Sequence, residues 1–137
     1  MAKKAQDDRV FIQNAVKTLA TNIRFASVDD PVRSIVVTSS IPNEGKTTIA
    51  TNLAQALASG GKAVLIVECD MRRRSLASAL GTHARNGIYA VLSGQVELDD
   101  AVVRTSTRNV WFLDSEPHIP NPVDILGCKR FHSFIER

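Results

Sequence analysis

The stretch from Ser40 to Thr48 constrains the fold of this chain more than any other part of the sequence. It lies between an apolar run at 35–37 and a helix-forming, largely apolar stretch at 49–57. A strand, a glycine-containing loop and a helix in this order form the context in which backbone N–H groups wrap a phosphate chain. The helix that follows adds the positive end of its dipole. The sequence therefore predicts a phosphate-binding loop, with Ser40 in place of the first glycine of the usual motif.

Two side chains of this loop carry the expected chemistry. The ammonium group of Lys46 would reach the β- and γ-phosphates of a nucleotide, and the hydroxyl of Thr47 would bind Mg²⁺. ATP and Mg²⁺ are the cofactors that such a loop implies. The residues predicted to bind the nucleotide are Ser40, Asn43, Glu44, Gly45, Lys46, Thr47 and Thr48.

The composition of the 137 residues fits one domain that buries helices on a sheet, since Val, Ile, Leu and Ala are plentiful. Seventeen basic and fourteen acidic residues are interspersed, so a mixed solvated surface is expected rather than a nucleic-acid interface. No signal peptide is recognisable, and no apolar run approaches the roughly 20 residues of a membrane span. Cys69 and Cys128 are far apart in sequence, which predicts free, buried thiols in a reducing cytosol.

Apolar periodicity and turn residues predict an α/β fold. We expect helices at about 8–26, 47–59, 75–80, 87–92, 99–103 and from Asn121 to the end, and strands at 34–39, 63–67 and 109–113. The continuous apolar centre of the first strand predicts burial on both faces, and the strand–helix–strand order predicts a right-handed parallel crossover. Asn121 would cap the last helix, with Pro122 in its first turn. The predicted domain is a P-loop NTPase-like parallel sheet flanked by helices over 1–137, with an amino-terminal helix, 1–30, packed on it.

A second group of charged residues follows the strand predicted at 63–67. Glu68 and Asp70 come directly after it, and three arginines follow at 72–74. The carboxyl ends of strands are where ligands bind in open α/β sheets, and two carboxylates there can hold Mg²⁺ or orient a nucleophile. The alternative is that both acids solvate the strand end or pair with the arginines, which taken alone indicate a solvated face.

At this point the motifs resemble a known family, the bacterial tyrosine kinases of the capsular and exopolysaccharide type. Residues 38–48 resemble the family's Walker A motif, and 64–72 resemble its Walker A′ motif, an apolar strand that ends in Asp-x-Asp-x-Arg. Shorter matches lie at 21–23, 92–94 and 121–126. The resemblance covers nearly the whole chain, and several ordered motifs are more specific than the P-loop alone.

The resemblance implies a protein-tyrosine kinase domain that phosphorylates tyrosines, including its own, with ATP and Mg²⁺. By that resemblance Lys46 stabilises the transferring phosphoryl group, Asp70 acts on the metal or as a base, and Arg72 supports the phosphate region. The implied metal-binding positions are Thr47, Glu68 and Asp70. Phosphoryl transfer depends on positioning and charge neutralisation more than on covalent chemistry.

The same resemblance implies the cellular setting of the protein. An integral-membrane activator or polysaccharide co-polymerase and protein tyrosine substrates are the expected partners, with no nucleic acid. The location expected is cytoplasmic, at the inner face of the membrane through that partner, with a role in capsule or exopolysaccharide synthesis and export. Homo-oligomers are also implied, although the family's Glu-x-x-Arg-x-x-Arg motif reads Asn14-x-x-Lys17-x-x-Ala20 here, which weakens that expectation.

Two departures from the family pattern shape the functional prediction. Glu68 stands where the family has an aspartate, and its extra methylene moves the carboxylate outward from a tight Mg²⁺ geometry. The sequence ends at Arg137 before a Walker B strand, and Tyr89 is the single tyrosine. We therefore expect the amino-terminal part of such a kinase domain, of doubtful activity alone. We also expect marginal stability, because the first strand lacks the Walker B strand that lies beside it in the family.

Three alternatives stay open from the sequence. A partition or division-site P-loop ATPase shares the fold, but it would carry a lysine where Ile41 stands. A non-catalytic nucleotide-binding partner that regulates a complete kinase is favoured by Glu68 and by the incomplete motif set. An interrupted gene product without a selected function is the third alternative.

Overall fold

The computed structural model describes all residues, 1–137. Its helices and strands follow in the order α1 Ala2–Ala26, α2 Lys46–Ser59, β1 Val64–Val67, α3 Leu76–Leu80, α4 Ile88–Leu92, α5 Leu98–Ala101, β2 Val103–Arg104, β3 Val110–Leu113, α6 Pro122–Leu126 and α7 Lys129–Ile135. Contacts divide the chain into two compact units, Met1–Val64 and Leu65–Arg137. The extent of the single domain predicted over 1–137 stays a prediction.

The first unit is built on the packing of α1 against α2. Val16 and Ala20 of α1 and Leu53 of α2 are buried together, and Ile12 and Ile23 pack around them. These residues of α1 recur at three- and four-residue spacing, which places them on one face of the helix. The amphipathic helix that the sequence predicts is confirmed, and it begins at Ala2, about two turns earlier than expected.

The strand predicted at 34–39 is wrong. Residues 31–39 have no regular secondary structure. Ile35 is 41% exposed and Val36 88% exposed, so the predicted burial on both faces is wrong as well. A segment forms a β-strand only when a neighbouring strand pairs with its backbone N–H and C=O groups. The sheet of this chain contains β1, β3 and β2 alone, so residues 31–39 have no neighbouring strand. The predicted parallel crossover from this segment is therefore absent too.

A three-stranded sheet organises the second unit, in the order β1-β3-β2. Val103 pairs with Phe112 and Arg104 with Trp111, so β2 and β3 are antiparallel. The predicted α/β class is confirmed, while the sheet is small and mixed rather than purely parallel. The two-residue strand β2 was not expected, because two residues show no periodicity that a sequence pattern could reveal.

The core of the second unit lies between the sheet and its helices. Met71, Ile88, Ala101 and Leu113 form the buried cluster, and side chains from α4 to α7 pack against it. Ile88 and Leu113 are fully buried. This arrangement positions the loop that follows β1, because the loop residue Met71 is part of the same core.

The last predicted helix is two helices. Residues Gly127 and Cys128 separate α6 from α7, and the Cys128 sulfur accepts a hydrogen bond from the Phe131 N–H as the cap of α7. Asn121 is the cap residue of α6, as expected, but its side chain makes no capping hydrogen bond. Its backbone has φ +53°, a conformation that asparagine tolerates better than most residues.

Both cysteines are free, as predicted, but Cys69 is exposed and Cys128 is half-buried, so their predicted burial is wrong. Cys69 lies in the loop after β1, outside the packed core. None of the helices combines the length and the apolar character that a membrane span requires.

Candidate functional site

The predicted phosphate loop leads directly into α2. Gly45 is the residue before the helix and has φ +84°, and Asn43 has φ +64°. A Cβ at Gly45 would meet nothing within 4 Å, so the left-handed backbone rather than lack of space requires glycine there. Left-handed residues within a turn direct successive N–H groups toward one concave side, which is the geometry that binds anions.

The carboxylate of Glu44 closes the start of this loop. One of its oxygens accepts hydrogen bonds from the Ser40 N–H at 3.0 Å and the Ile41 N–H at 3.3 Å. The Ser39 hydroxyl donates to the Ile41 carbonyl at 3.0 Å on the same turn. These bonds fold residues 39–44 into a compact turn. The sequence motif predicted a loop here, but it gave no sign that Glu44 serves the loop's own backbone.

The start of α2 is electrostatically suited to a phosphate. The Ile49 N–H donates to the Gly45 carbonyl at 2.9 Å, which begins the helix directly after the loop. The first turn of α2 contains no acidic side chain, so nothing in it neutralises the positive end of the helix dipole. Lys46 and Thr47 are the first two helical residues and are half-buried. The loop therefore fits the phosphate group that the sequence predicts.

The second predicted group of charges lies in the loop between β1 and α3. Glu68 follows β1 directly and is only 2% exposed. Its Oε1 accepts a hydrogen bond from the Asp70 N–H and its Oε2 accepts one from the Leu76 N–H, both at 3.0 Å. Glu68 thus contacts the backbone at both ends of its own loop.

The environment of Glu68 disfavours its charge. Burial raises the pKa of the Glu68 carboxyl, the hydrogen bonds from the Leu76 and Asp70 N–H groups oppose that rise, and the nearby charges of Asp70 and Asp114 add to it. A buried carboxylate of this kind is held by its hydrogen bonds rather than by solvent.

The three arginines of the loop have different surroundings. Arg72 is exposed, whereas Arg74 is anchored. The Arg74 Nε donates to the Ser115 carbonyl at 2.7 Å, and its guanidinium contacts the Asp114 carboxylate at 3.3 Å. Asp114 is 5% exposed, and it lies directly after β3. The sequence analysis missed this pair, because the two residues are 40 positions apart and neither belongs to a motif.

Asp70 shapes the same loop through its backbone and its side chain. The Arg74 N–H donates to the Asp70 carbonyl at 2.9 Å, and the Asp70 Oδ1 accepts from the Arg73 N–H at 3.2 Å. The structure thus places Glu68, Asp70 and Arg72 in one short, tightly hydrogen-bonded loop. No group of three or more His, Cys, Asp or Glu side chains forms a metal centre. The roles of Thr47, Glu68 and Asp70 toward Mg²⁺ stay predictions.

A loop of this geometry before a helix defines the P-loop class of nucleotide-binding proteins. The family profile of the AAA domain matches residues 32–126, which include both loops. The chain therefore belongs to the AAA domain family.

Among the relatives and the solved structures that this chain resembles are several bacterial tyrosine kinases. The chain is 37% identical over 113 residues to tyrosine-protein kinase YwqD of Bacillus subtilis, covering 82% of this chain and 48% of that protein. It is 32% identical over 136 residues to tyrosine-protein kinase CpsD of Streptococcus pneumoniae, covering 96% and 59%. The BceF tyrosine kinase domain superposes with a TM-score of 0.79 at 34% identity, over 90% of this chain and 49% of that domain.

These matches confirm the resemblance to bacterial tyrosine kinases that the motifs indicated. The matches cover only part of those proteins: the chain spans about half the length of YwqD and somewhat more of CpsD. The similarity therefore shows the family of this chain, and not the activity, substrates or partners of a whole kinase.

Proposed function

We propose that this chain is the nucleotide-binding part of an ATP-dependent protein-tyrosine kinase domain. The observation that carries the proposal is the loop at 40–48, in which left-handed Asn43 and Gly45 lead into the positive end of α2, whose first turn has no acidic side chain. Successive backbone N–H groups at a helix start bind phosphate without further side chains. The similarity to named tyrosine kinases supports the kinase class among P-loop proteins.

Each predicted residue keeps a separate role in this proposal. Lys46 neutralises charge on the β- and γ-phosphates, and Thr47 offers its hydroxyl to Mg²⁺. Asp70 acts on the metal or receives the proton of a tyrosine hydroxyl, and Arg72 supports the phosphate region. Mg²⁺ would supply charge neutralisation at the transferring phosphoryl group.

The cellular setting is proposed on the resemblance alone. An integral-membrane activator would hold the chain at the cytoplasmic face of the membrane, where it would take part in capsule or exopolysaccharide synthesis and export. Protein tyrosines would be the substrates. Self-association would not use the motif Glu-x-x-Arg-x-x-Arg, because positions 14, 17 and 20 lack two of its three charges.

Titration calorimetry with Mg-ADP tests the nucleotide site. The wild-type chain should bind weakly, and Lys46→Met should weaken binding at least about ten-fold, because it removes the charge that faces the phosphates. Lys62→Met is the matched control, since Lys62 is exposed in the turn after α2. Equal affinity of the wild type and Lys46→Met would refute the assignment. A loss in Lys62→Met as large as in Lys46→Met would show a nonspecific charge effect.

The second candidate function is a nucleotide-binding partner without transfer activity of its own. The observation that favours it concerns Tyr89, the single tyrosine, which lies in α4. Its backbone N–H donates to the Glu116 carboxylate at 2.9 Å, so its main chain is held in a helical turn. An acceptor tyrosine in a kinase site needs an extended backbone that this turn does not offer.

Incubation with Mg-ATP followed by an anti-phosphotyrosine blot separates the two functions. We expect no signal from the chain alone. A signal that disappears in Tyr89→Phe would establish self-phosphorylation and exclude the non-catalytic alternative. A tyrosine-containing peptide added to the same reaction distinguishes a poor acceptor from an inactive enzyme, because it needs no unfolding of α4.

A further inference from the structure

We infer that Glu68 is a positioning residue: its carboxylate holds the loop 69–75 in the conformation that presents Asp70 and Arg72, and it does not bind a metal ion itself. The roles of Asp70 and Arg72 in this inference rest on the proposed function. The statement about the loop rests on the hydrogen bonds alone.

The contacts of the Glu68 carboxylate carry the inference. One oxygen accepts from the N–H of Asp70, two residues on, and the other from the N–H of Leu76, eight residues on. Leu76 is the first residue of α3, so a single side chain joins the end of β1 to the start of the next helix. Each oxygen already accepts one backbone N–H, and the residue is almost wholly buried. Mg²⁺ usually keeps several waters in a nearly octahedral shell, and a carboxylate buried in this way leaves no room for them.

The loop between these two bonds is held in a conformation that it would not adopt unaided. Arg74 has φ +49°, which is uncommon for a residue other than glycine. Such a backbone persists when its surroundings determine it from several sides. Here the Arg74 N–H is bound to the Asp70 carbonyl and its guanidinium to Ser115 and Asp114. The Glu68 carboxylate adds a bond at each end of the segment that contains Asp70 and Arg72, so losing those bonds would release that segment at both ends.

The length of the glutamate side chain suits this role. An aspartate at the same position is one methylene shorter, so one carboxylate could not keep both bonds without moving the backbone. A glutamine keeps the length but places an NH₂ group against one backbone N–H, and two donors cannot bond each other. Glu68→Asp and Glu68→Gln therefore break the loop in two different ways.

Amide hydrogen exchange followed by NMR tests the loop in the full chain without metal or nucleotide. In each variant, at least one of the Asp70 and Leu76 amides should exchange about ten-fold faster, as expected when a buried hydrogen bond is lost. The Ile88 amide, which donates to the Asp114 carbonyl in the same unit, is the reference for global opening and should change less than about three-fold. Glu97→Gln, at an exposed helix cap without a side-chain bond, is the control. Wild-type rates for both amides in both variants would overturn the inference.

A measurement on the wild type covers the case in which the variants open globally. The carboxyl ¹³C resonance of Glu68 should not move when Mg-ADP is added, because its oxygens stay on the two N–H groups. A shift accompanied by loss of protection at Asp70 and Leu76 would show that the carboxylate leaves the loop for the metal, and would overturn the inference.

A double-mutant cycle tests whether Glu68 acts through Asp70. Glu68→Gln should weaken Mg-ADP binding about three- to ten-fold in the wild type and less than about two-fold in the Asp70→Asn background, since residues that act through one another are not additive. Additive effects would reduce Glu68 to a structural residue and overturn the positioning role. If the wild-type chain binds no Mg-ADP, the proposed function fails, and the exchange experiment still decides whether Glu68 closes the loop.

Discussion

The two units of this chain differ in the pairing and burial of their apolar segments. In Leu65–Arg137, the apolar strand β3 lies between two hydrogen-bonded neighbours, and Phe112 and Leu113 are fully buried. In Met1–Val64, the equally apolar run at 35–37 stays irregular, and Val36 is 88% exposed. Both segments have β-forming residues, so intrinsic preference does not explain the difference. β3 lies between two strands in its sheet, and the segment at 31–39 is in none.

The comparison teaches that an apolar run predicts a strand only together with its neighbours. The hydrophobic gain of a strand is realised when other elements cover its faces and its backbone groups are paired. An exposed apolar segment with open backbone groups also invites pairing with another chain. The marginal stability expected from the sequence would therefore originate in the segment 31–39, not in the second unit.

Shortening one side chain to alanine in each segment gives the largest expected difference in the free energy of unfolding. Leu113→Ala should lower the free energy of unfolding by about 2–5 kcal/mol, because it opens a cavity in a fully buried core. Val36→Ala should change it by less than about 0.5 kcal/mol, as expected for an exposed side chain. Urea unfolding followed by circular dichroism measures both. A comparable loss in the two variants would show that Val36 is packed in solution and would remove the contrast between the units.

Two glycines sharpen the comparison at a smaller scale. A Cβ at Gly87 would lie 2.6 Å from the Asp114 carbonyl oxygen and 2.9 Å from the Ser115 Cα, so Gly87→Ala must displace backbone in the second unit. We expect a loss of about 1–3 kcal/mol. Gly60→Ala, at the end of α2 in the first unit, meets the Leu57 oxygen at 3.3 Å and has an ordinary φ of −80°.

Gly60→Ala should therefore shift stability by less than about 1 kcal/mol in either direction, since the alanine also restricts the unfolded chain. Thermal melting of both variants beside the wild type is the measurement. A Gly87→Ala variant as stable as the wild type would mean that the contact of the glycine with the end of β3 is looser than the structure has it.

Sequence patterns found the local features of this protein and missed those that depend on distant residues. The periodicity of α1 and the spacing of the loop at 40–48 are written in adjacent residues, so both could be predicted. The unpaired segment at 31–39 could not, because an apolar run does not reveal whether a partner strand exists. The break at Gly127 was missed because apolar residues continue on both sides of it.

In the candidate site, too, the sequence predicted some residues and gave no sign of other contacts. The phosphate-loop motif predicted Lys46, the position after a strand indicated Asp70, and the resemblance to the kinase family added Arg72; their chemical roles stay predictions. The bond between Arg74 and Asp114 joins residues 40 positions apart and left no trace in the sequence. The contacts of Glu44 and Glu68 depend on side-chain rotamers, which a motif does not encode.

Two glutamates that bind backbone N–H groups give the smallest and most discriminating contrast. In the second unit, Glu116 accepts from the N–H groups of Gly87 at 2.7 Å, Tyr89 at 2.9 Å and Ala90 at 3.0 Å. Gly87 and Ala90 are buried, so Glu116→Ala leaves their N–H groups without a partner. The expected loss is about 1–3 kcal/mol of stability. In the first unit, Glu44 accepts hydrogen bonds from two N–H groups of exposed residues. Water can accept hydrogen bonds from these N–H groups after Glu44→Ala.

Glu44→Ala should therefore change the free energy of unfolding by less than about 0.5 kcal/mol. Its effect should appear in the loop instead: Mg-ADP binding should weaken about two- to five-fold, because the start of the loop is no longer held in one conformation and must be ordered on binding. Glu116→Ala should leave Mg-ADP affinity within about two-fold of the wild type under conditions where both variants are folded. Denaturant unfolding and calorimetry on the same two proteins give all four numbers. If Glu44→Ala lowers stability as much as Glu116→Ala, the backbone N–H groups of the phosphate loop are shielded from water. The contrast between exposed N–H groups in the first unit and buried ones in the second would then be wrong.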